Sequence, residues 1–300
     1  MKNWFQKLEI KKNWPGYMLV APALFTILAL SIYPLVRGIS MSFLNYNVVK
    51  ANSADFNTFA GLKNYFKIFE DSNFVKAIFN TVKWTVVNLA VQLVLAMILA
   101  LCLNLKLKGK SVFRTLSLVP WAVPHSIAAM TFTFLLSSNV GIIKIIAVKL
   151  GILAEPMSFL GNVGTAFWCV AAEAIWKGTP FQMIFILAAL QGIPGSVYES
   201  AQIDGANRWQ TFWKITLPSI KQSLAISVIL NLIGIVSCFN SIWLMTKGGP
   251  LYSTEIIYTY AYREAFINHD FGTASAASVI LFLLMTFFAI IYLRLSEEKS

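Results

Sequence analysis

The chain has 300 residues, of which 57% are hydrophobic and only 12% are charged, and its formal net charge is +11. This composition excludes a water-soluble globular protein, and the scattered basic residues argue against a nucleic-acid-binding patch. A helix that crosses a bilayer needs about 20 apolar residues, and six uncharged windows are long enough. They lie between Lys12 and Arg37, Lys83 and Lys106, Arg114 and Lys144, Lys177 and Glu199, Lys221 and Lys247, and Asp270 and Arg294.

The six windows predict an all-α, polytopic membrane protein with a single transmembrane domain over residues 1–300. They leave no room for a large soluble domain, so any energy-coupling or ligand-capturing domain must lie on another polypeptide. The three cysteines fall inside apolar windows, without the spacing of a disulfide framework or a metal site. We therefore predict neither a bound metal nor a cofactor.

Basic residues near the first window predict the orientation of the chain. Lys2, Lys7, Lys11 and Lys12 precede this window, whereas Arg37 alone follows it closely. Positive residues beside a first span favour the cytoplasmic side, and an even number of spans returns the chain to the same side. Both termini are therefore predicted to be cytoplasmic.

The segments around the second and third windows predict exterior helices and a kinked span. Residues 44–80 are amphipathic and are expected to lie along the membrane surface, and residues 141–153 and 258–266 are each expected to form a short exterior helix. Pro120 and Pro124 each remove a backbone donor and predict kinks in the third span. A helix kinked in this way either borders a cavity or serves packing alone.

The fourth span, predicted over residues 165–190, carries two charges. Glu173 and Lys177 lie four residues apart, in the order that favours an intrahelical ion pair, and charges inside a span face the bundle interior or water. Residues 178–180, Gly-Thr-Pro, predict an interruption of the helix. The pair either neutralises charge near the outer interface or lies beside a passage that the interruption lines.

The fifth span, predicted over residues 224–244, is rich in polar and aromatic side chains. Asparagine in hydrocarbon needs a hydrogen-bond partner, which is either another helix or a hydroxylated ligand. Two glycines before a proline at 248–250 predict a sharp turn after this span. The polar and aromatic residues in question are Asn231, Ser237, Asn240 and Trp243.

The longest polar segment, residues 196–218, predicts two short helices. Ser196 and Glu199 have the spacing of a capping box, and Gly205 tolerates the positive φ that ends the first helix. Asn207 then caps a second helix. On pattern alone an amphipathic loop on lipid headgroups fits equally well. The apolar stripe of the second helix and the proline expected to end it are Trp209, Phe212, Trp213, Ile215 and Pro218.

The same segment resembles the cytoplasmic EAA loop of permeases from binding-protein-dependent ABC importers. Their motif is Glu-Ala-Ala, three further residues and Gly; Glu199, Ala201 and Gly205 match it, and Ser200 replaces the first Ala. Several strings are similar to the carbohydrate branch of these permeases, and the last of them resembles the first permease of a carbohydrate pair. They are Asp204-Gly205-Ala206, residues 215–218, residues 61–65 followed by Asn80-Thr81, residues 176–181, and residues 246–250.

The resemblance implies a type I importer permease fold in the cell membrane of a bacterium or archaeon. It also implies a second permease subunit, ATPase subunits and an extracellular solute-binding protein as partners, with a sugar as the substrate. In that family the loop docks into a cleft on an ATPase subunit, so the implied coupling residues are Glu199, Ala201, Asp204, Gly205, Ala206 and Arg208. The candidate pathway residues are Lys177, Gly178 and Phe181 by resemblance, and Asn231, Ser237 and Asn240 by their polarity within a span.

Roles within the loop follow from these assignments. Glu199 is expected to cap and orient the first helix, and Gly205 to permit its turn. Three aromatic residues are expected to secure the segment against the core helices. These are Trp209, Phe212 and Trp213.

The chain is predicted to be a transport subunit and not an enzyme. The sequence contains neither a Gly-x-x-x-x-Gly-Lys-Ser/Thr phosphate loop nor a histidine-carboxylate or thiol grouping. The alternatives that stay open are an importer of another solute, such as a phosphorylated polyol that Lys177 would suit, an ion-coupled secondary transporter and a membrane-embedded enzyme. A secondary transporter would need single ionisable groups at mid-membrane, and an enzyme would need His, Asp or Cys clusters.

Overall fold

The computed structural model of the protein describes residues 10–105, 108–151 and 157–297. Within these ranges the chain consists of helices, loops and two isolated β-bridges, which confirms the all-α prediction. Of the residues that predict orientation, Lys2 and Lys7 lie outside the described residues.

The helices account for the six predicted windows. Four stretches are long and apolar enough to cross a membrane alone, namely Gly16–Met41, Ser72–Asn104, Arg208–Thr246 and Phe271–Ile290, and two bent helix pairs bring the number to six. In chain order the helices are α1 (Ile10–Ile27), α2 (Tyr33–Met41), α3 (Lys63–Glu70), α4 (Ser72–Asn104), α5 (Lys110–Ala122), α6 (His125–Leu135), α7 (Ile142–Lys149), α8 (Val163–Gln191), α9 (Gly195–Ile203), α10 (Arg208–Thr211), α11 (Leu217–Val236), α12 (Asn240–Thr246), α13 (Ile257–Phe266) and α14 (Phe271–Glu297).

The first crossing stands apart from the rest of the bundle. It comprises α1, a π-helical turn at Leu28–Ile32 and α2, and none of its apolar window is buried. Only α2 packs against another crossing, α14, to any extent within the described chain. The apolar side chains of this crossing therefore face lipid or another subunit.

The core lies where α4 and α8 pack along each other and α11 packs against both. Ala96 and Ala100 of α4 are fully buried in one apolar cluster with Met183 and Leu187 of α8. Small residues at such a contact let the helix backbones approach closely in a membrane.

Helix α8 continues through residues 178–180, so the predicted interruption is wrong. Pro180 lacks the N–H that would bond to the carbonyl of Trp176. Side-chain donors reach the two preceding carbonyls: Thr179 Oγ1 donates to that of Ile175 at 2.6 Å, and Gln92 Nε2 donates to that of Ala174 at 3.1 Å. Proline is tolerated inside a membrane helix because neighbouring helices and local adjustments of the backbone compensate for the missing bond.

The third span is bent, as predicted. Helices α5 and α6 meet at 89°, and Pro124 precedes α6 with an extended backbone, at ψ 141°. Pro120 lies inside α5 and does not interrupt it. The bend therefore lies at Val123 and Pro124, between the end of α5 and the start of α6.

Residues 42–71 and 247–271 cover one end of the bundle, here called the capped end. Asn64 Nδ2 donates to the carbonyl of Ser42 at 2.9 Å, and Asn80 Nδ2 to the carbonyl of Glu255 at 3.0 Å. The expected surface segment at 44–80 is wrong for its last nine residues, which already belong to α4, because the Asp71 carboxylate caps that helix by accepting from Asn73 N.

The two predicted exterior helices correspond to α7 and α13. The end of the first prediction, residues 152 and 153, lies outside the described residues. The turn predicted at 248–250 is present, and Gly248 has a φ of +86°. A Cβ at this position would lie 3.2 Å from Glu255 Cβ, so the turn folds tightly over that residue.

A buried ion pair fastens the capped end. Glu255 is fully buried and lies 2.7 Å from Nη1 of Arg263, whose guanidinium is stacked 4.4 Å from the ring centre of Tyr252. Burial raises the pKa of Glu255 to about 7, although the positive charge of Arg263 acts in the opposite direction.

We predict that Glu255→Gln removes a pH dependence of stability. Between its ordinary pKa of 4.5 and its folded pKa of about 7, the carboxyl binds more protons in the folded than in the unfolded chain. The unfolding free energy of the wild type should therefore fall, relative to the variant, as the pH rises through this interval. Thermal unfolding midpoints in detergent measure this difference. Glu70→Gln, an exposed carboxylate at the same end, should not change it, and a wild-type-to-variant difference that is constant with pH would contradict the prediction.

Candidate functional site

A cavity of about 510 Å³ lies between α4, the α5–α6 bend, α8, α11 and α12. Its size falls within the roughly 300–1,000 Å³ of ligand pockets. The wall combines aromatic rings with amides and basic side chains. The rings are Trp84, Trp121 and Phe181, and the polar groups include Asn88, Gln92, His125, Lys177 and Asn231.

The structure brings four of the six predicted pathway residues together in this cavity. Lys177, Gly178, Phe181 and Asn231 all line it. Ser237 and Asn240 are instead exposed and lie outside the wall. The cause is a break at residues 237–239 between α11 and α12 that the sequence did not predict. The break turns two neighbouring side chains, Cys238 and Ser241, to the cavity in their place.

Gln92 joins three helices at the cavity and was missed in the sequence. Its Nε2 donates to the carbonyl of Ala174 on α8, and its Oε1 accepts from Nδ2 of Asn231 on α11 at 2.9 Å. Gln92 is 1% exposed. A glutamine in the middle of an uncharged window is the signal that identifies it, because a buried amide requires partners.

Gly178 permits this arrangement. A Cβ at Gly178 would lie 2.5 Å from Oε1 of Gln92, which is closer than two such atoms can approach. Glycine is needed here because the side chain of Gln92 packs against its backbone, and not because of a positive φ. Gly178 thus contributes to the cavity indirectly: it leaves room for the Gln92 amide, which bonds to Asn231.

The predicted ion pair between Glu173 and Lys177 is wrong. Both side chains are buried, but the ion pairs found in the described part of the chain do not include them. The Lys177 ammonium turns instead to backbone carbonyls at the α5–α6 bend, including that of Val123. The free carbonyls at the end of a helix attract a cation. Here these carbonyls, and not the carboxylate of Glu173, are the partners of Lys177.

The 196–218 segment forms a helical turn at the end of the bundle opposite the capped end. Helix α9 leaves α8 at 69° and ends at Gly205, whose φ is +76°, as predicted. Ala206 N donates to the carbonyl of Ala201 at 2.9 Å to close this end. Asn207 caps α10 in a capping box with Gln210, which confirms the second predicted start.

The predicted capping box of Ser196 and Glu199 is wrong. Helix α9 begins at Gly195 after Pro194, and no side chain caps it. Proline fixes the backbone angle before the first turn, so the helix begins two residues earlier than predicted. Glu199 is exposed and therefore does not cap or orient this helix.

Of the predicted coupling residues, one is buried and the others form an accessible surface. Ala201 is 5% exposed, and Ala206 is half-buried. Those that are exposed are Glu199, Asp204, Gly205 and Arg208.

The two tryptophans do not secure the segment as predicted. Trp209 is 70% and Trp213 49% exposed, and their rings contact each other edge to face with centroids 5.6 Å apart. Phe212 is half-buried. The buried residues of the segment are Ala201 and Thr216, and a hydrogen bond of 3.3 Å between the hydroxyls of Tyr198 and Thr216 joins its two ends.

Pro218 does not end the second helix. A π-helical turn at Phe212–Thr216 follows α10 and leads directly into α11, with the proline in the first turn of that helix. Proline is tolerated at this place because the first N–H groups of a helix have no intrahelical partner. The 196–218 segment is consequently continuous with the helix that carries Asn231.

Comparison with known proteins agrees with this architecture. Residues 92–299 match the family described as binding-protein-dependent transport system inner membrane component. The trehalose/maltose transport system permease protein MalF of Thermococcus litoralis is 34% identical over 297 residues, which cover 99% of this chain and 98% of that protein. The sn-glycerol-3-phosphate transport system permease protein UgpA of Yersinia pestis is 30% identical over 288 residues, covering 96% and 95%.

A solved structure has the same fold along the whole chain. The crystal structure of a bacterial ABC transporter involved in the import of the acidic polysaccharide alginate contains a chain that superimposes with a TM-score of 0.83, at 25% identity and 100% coverage of both chains. The motif resemblance is thereby confirmed. The protein belongs to the family of binding-protein-dependent transport system inner membrane components: it is a multi-pass permease subunit of an ABC importer, and not an enzyme.

Proposed function

We propose that the chain forms, with a second permease, the membrane passage for a sugar or oligosaccharide, and that the cavity is part of this passage. The observation that carries the proposal is the combination of rings and amides in its wall. Sugar hydroxyls need donors and acceptors, and the C–H face of a sugar packs on an aromatic ring. The trehalose/maltose system for which one similar protein is named supports an uncharged sugar, whereas the alginate named for the similar structure is an acidic polysaccharide.

Asn88 offers a specific contact for such a ligand. Its Nδ2 donates to the carbonyl of Trp84, but its buried Oδ1 accepts no hydrogen bond from the described residues. An unsatisfied buried acceptor costs about 1–3 kcal/mol. A sugar hydroxyl in the cavity would supply the missing donor.

The 196–218 segment is proposed to dock on an ATPase subunit, with both termini on the same, cytoplasmic side. Its exposed surface, which includes Arg208 and Ile203 at 87% exposure, supports a protein contact. An extracellular solute-binding protein would deliver the sugar at the capped end. The name of the family, which includes dependence on a binding protein, supports this partner.

Alternating access follows from the connection between segment and cavity. When the ATPase subunits close, the docked segment moves, and α8 and α11 receive the motion at their ends. Both helices contribute to the cavity wall, through Lys177 and Asn231 respectively. ATP hydrolysis on the partner would thereby open and close the passage mechanically.

A phosphorylated polyol is a second candidate substrate. The ammonium of Lys177 lies in the cavity wall, and a similar protein is named for sn-glycerol 3-phosphate. A cation favours a phosphate ligand when its donors are free to bind it.

Co-purification tests the assembly. The tagged chain is isolated in mild detergent, and mass spectrometry identifies the proteins that accompany it. A second six-span permease and an ATPase with a phosphate-binding loop are the expected partners. A chain that purifies alone and still transports sugar in vesicles without ATP would refute the proposal.

We predict that Gly205→Asp leaves the protein in the membrane but uncouples it from the ATPase. A residue with a side chain in the left-handed backbone conformation costs roughly 1–2 kcal/mol, and α9 would lose its present end. Sugar uptake should fall severalfold while membrane content is kept. Gly195→Ala, in the same helix with open space around its Cβ and no positive φ, is the matched control. Normal uptake and normal ATPase association in Gly205→Asp would contradict docking by this segment.

We predict that Gly178→Ala disturbs the cavity through Gln92. The new methyl group would displace the amide, which loses its bonds to Ala174 and Asn231, each worth about 1 kcal/mol. A lower thermal midpoint and reduced sugar uptake are expected. Gly234→Ala is the control, because Gly234 also lines the cavity but has open space around its Cβ. Equal effects of the two substitutions would show that the close approach is unimportant.

A further inference from the structure

The ammonium of Lys177 is occupied by the backbone of the neighbouring span. Its Nζ donates to the carbonyl of Val123 and lies 3.4 Å from the carbonyl of Trp121 and 3.5 Å from that of Pro120. An ammonium has three N–H donors. These acceptors lie at the end of α5 and in the bend that follows it, and Lys177 is 5% exposed.

These carbonyls need an external donor. The last carbonyls of any helix have no intrahelical partner, and α5 ends at Ala122. The chain then turns by 89° into α6, so no following helical turn supplies the missing N–H groups. A cation at this position also meets the negative end of the helix dipole.

The bend held in this way is one wall of the cavity. Five consecutive residues, 121–125, line it. Lys177 reaches this bend from α8 and lies 54 positions after Val123 in the sequence. The contact therefore ties together two adjacent walls of the cavity, which α8 and the α5–α6 bend contribute.

Glu173 does not share in holding the ammonium of Lys177. It lies one helical turn before Lys177, is 0% exposed, and neither of its side-chain oxygens has a hydrogen-bond partner among the described residues. The carbonyls of the bend are therefore the partners of Lys177 in the structure. An anionic ligand in the cavity would find this ammonium already occupied.

We infer that Lys177 is a positioning residue that ties α8 to the α5–α6 bend, and that the cavity accordingly accepts an uncharged saccharide and not a phosphorylated or otherwise anionic one. This inference rests on the proposed sugar transport and selects between its two candidate substrates.

The first part of the test measures what the wild type transports. Cells produce the chain together with the partner subunits that co-purify with it, and uptake of radiolabelled trehalose and maltose is measured with and without excess sn-glycerol 3-phosphate. Uptake of at least one disaccharide, unaffected by the phosphate ester, is expected. Uptake of sn-glycerol 3-phosphate itself, or competition by it, would overturn the substrate assignment.

The second part compares variants of the assembled complex. Lys177→Met should lower the thermal unfolding midpoint by several degrees and the maximal uptake rate about tenfold or more, while the half-saturating sugar concentration stays the same. Lys177→Arg keeps the charge and the donors, and should recover much of both. Lys76→Met, at an exposed lysine of α4, is the control and should change neither.

Glu173→Gln tests whether the partner of Lys177 is the Glu173 carboxylate or the carbonyls of the α5–α6 bend. It should leave the midpoint unchanged or raise it, because the carboxylate makes no ion pair; a midpoint lowered as much as in Lys177→Met would overturn the positioning role. The positioning role would also be overturned if Lys177→Met raised the half-saturating sugar concentration without changing the thermal midpoint. If the complex with Lys177→Met does not assemble, the thermal midpoints of Lys177→Arg and Glu173→Gln decide whether Lys177 is a positioning residue.

Failure of the proposed function is recognised separately. A wild type that transports neither the disaccharides nor the phosphate ester would refute the assignment of the substrate. The midpoints of Lys177→Met and Glu173→Gln would still decide whether Lys177 holds the bend, since they need no substrate.

Discussion

In the membrane, where water is absent, every backbone N–H and C=O group must find a hydrogen-bond partner within the protein. The arrangement of the helices depends on this requirement. Two interruptions of regular helix border the cavity: the end of α5 and the end of α11. At each of them a side chain from a neighbouring helix donates to a backbone carbonyl, Lys177 to that of Val123 and Trp84 Nε1, at 3.0 Å, to that of Ile235. Both donors line the cavity, so the groups that satisfy the backbone at these helix ends also form its wall.

The two ends of the bundle are fastened by different chemistry. The capped end relies on polar contacts, among them the buried Glu255–Arg263 pair and the part-buried bond of 2.6 Å between Lys67 and Asp270. The 196–218 segment buries few residues, among them Ala201 and Thr216, and leaves most of its surface accessible. The proposed docking of an ATPase subunit requires this accessibility, whereas an end that closes over the bundle gains from rigidity.

Local signals in the sequence were sufficient for much of this architecture. The six windows, the bend at Pro124, the stop at Gly205 and the cap at Asn207 depend on composition or on the backbone preferences of one residue, and all are present. The predictions for Pro180 and Pro218 failed because the surroundings override the preference of a single proline: α8 packs against α4 and α11, and a π-helical turn leads directly into α11 at Pro218. The sequence spacing of Glu173 and Lys177 predicted a pair, but it contained no information about the free carbonyls of a helix distant in sequence.

The candidate site was predictable only in part for a related reason. Lys177, Gly178, Phe181 and Asn231 were found through motif resemblance or polarity, and each lies in the cavity wall. Ser237 and Asn240 were misplaced because no proline or glycine marks the break between α11 and α12. The assignment of those six residues as substrate contacts stays a prediction.

The close approach of Gly178 to Gln92 has an evolutionary consequence. A side chain at position 178 requires the amide of Gln92 to move or to be replaced, and either change weakens its bond to Asn231, which lies 139 positions away. Effects of substitutions at residues in contact are not additive. These three positions should therefore covary among related permeases, and an exchange at one of them should cost less where the others have already changed.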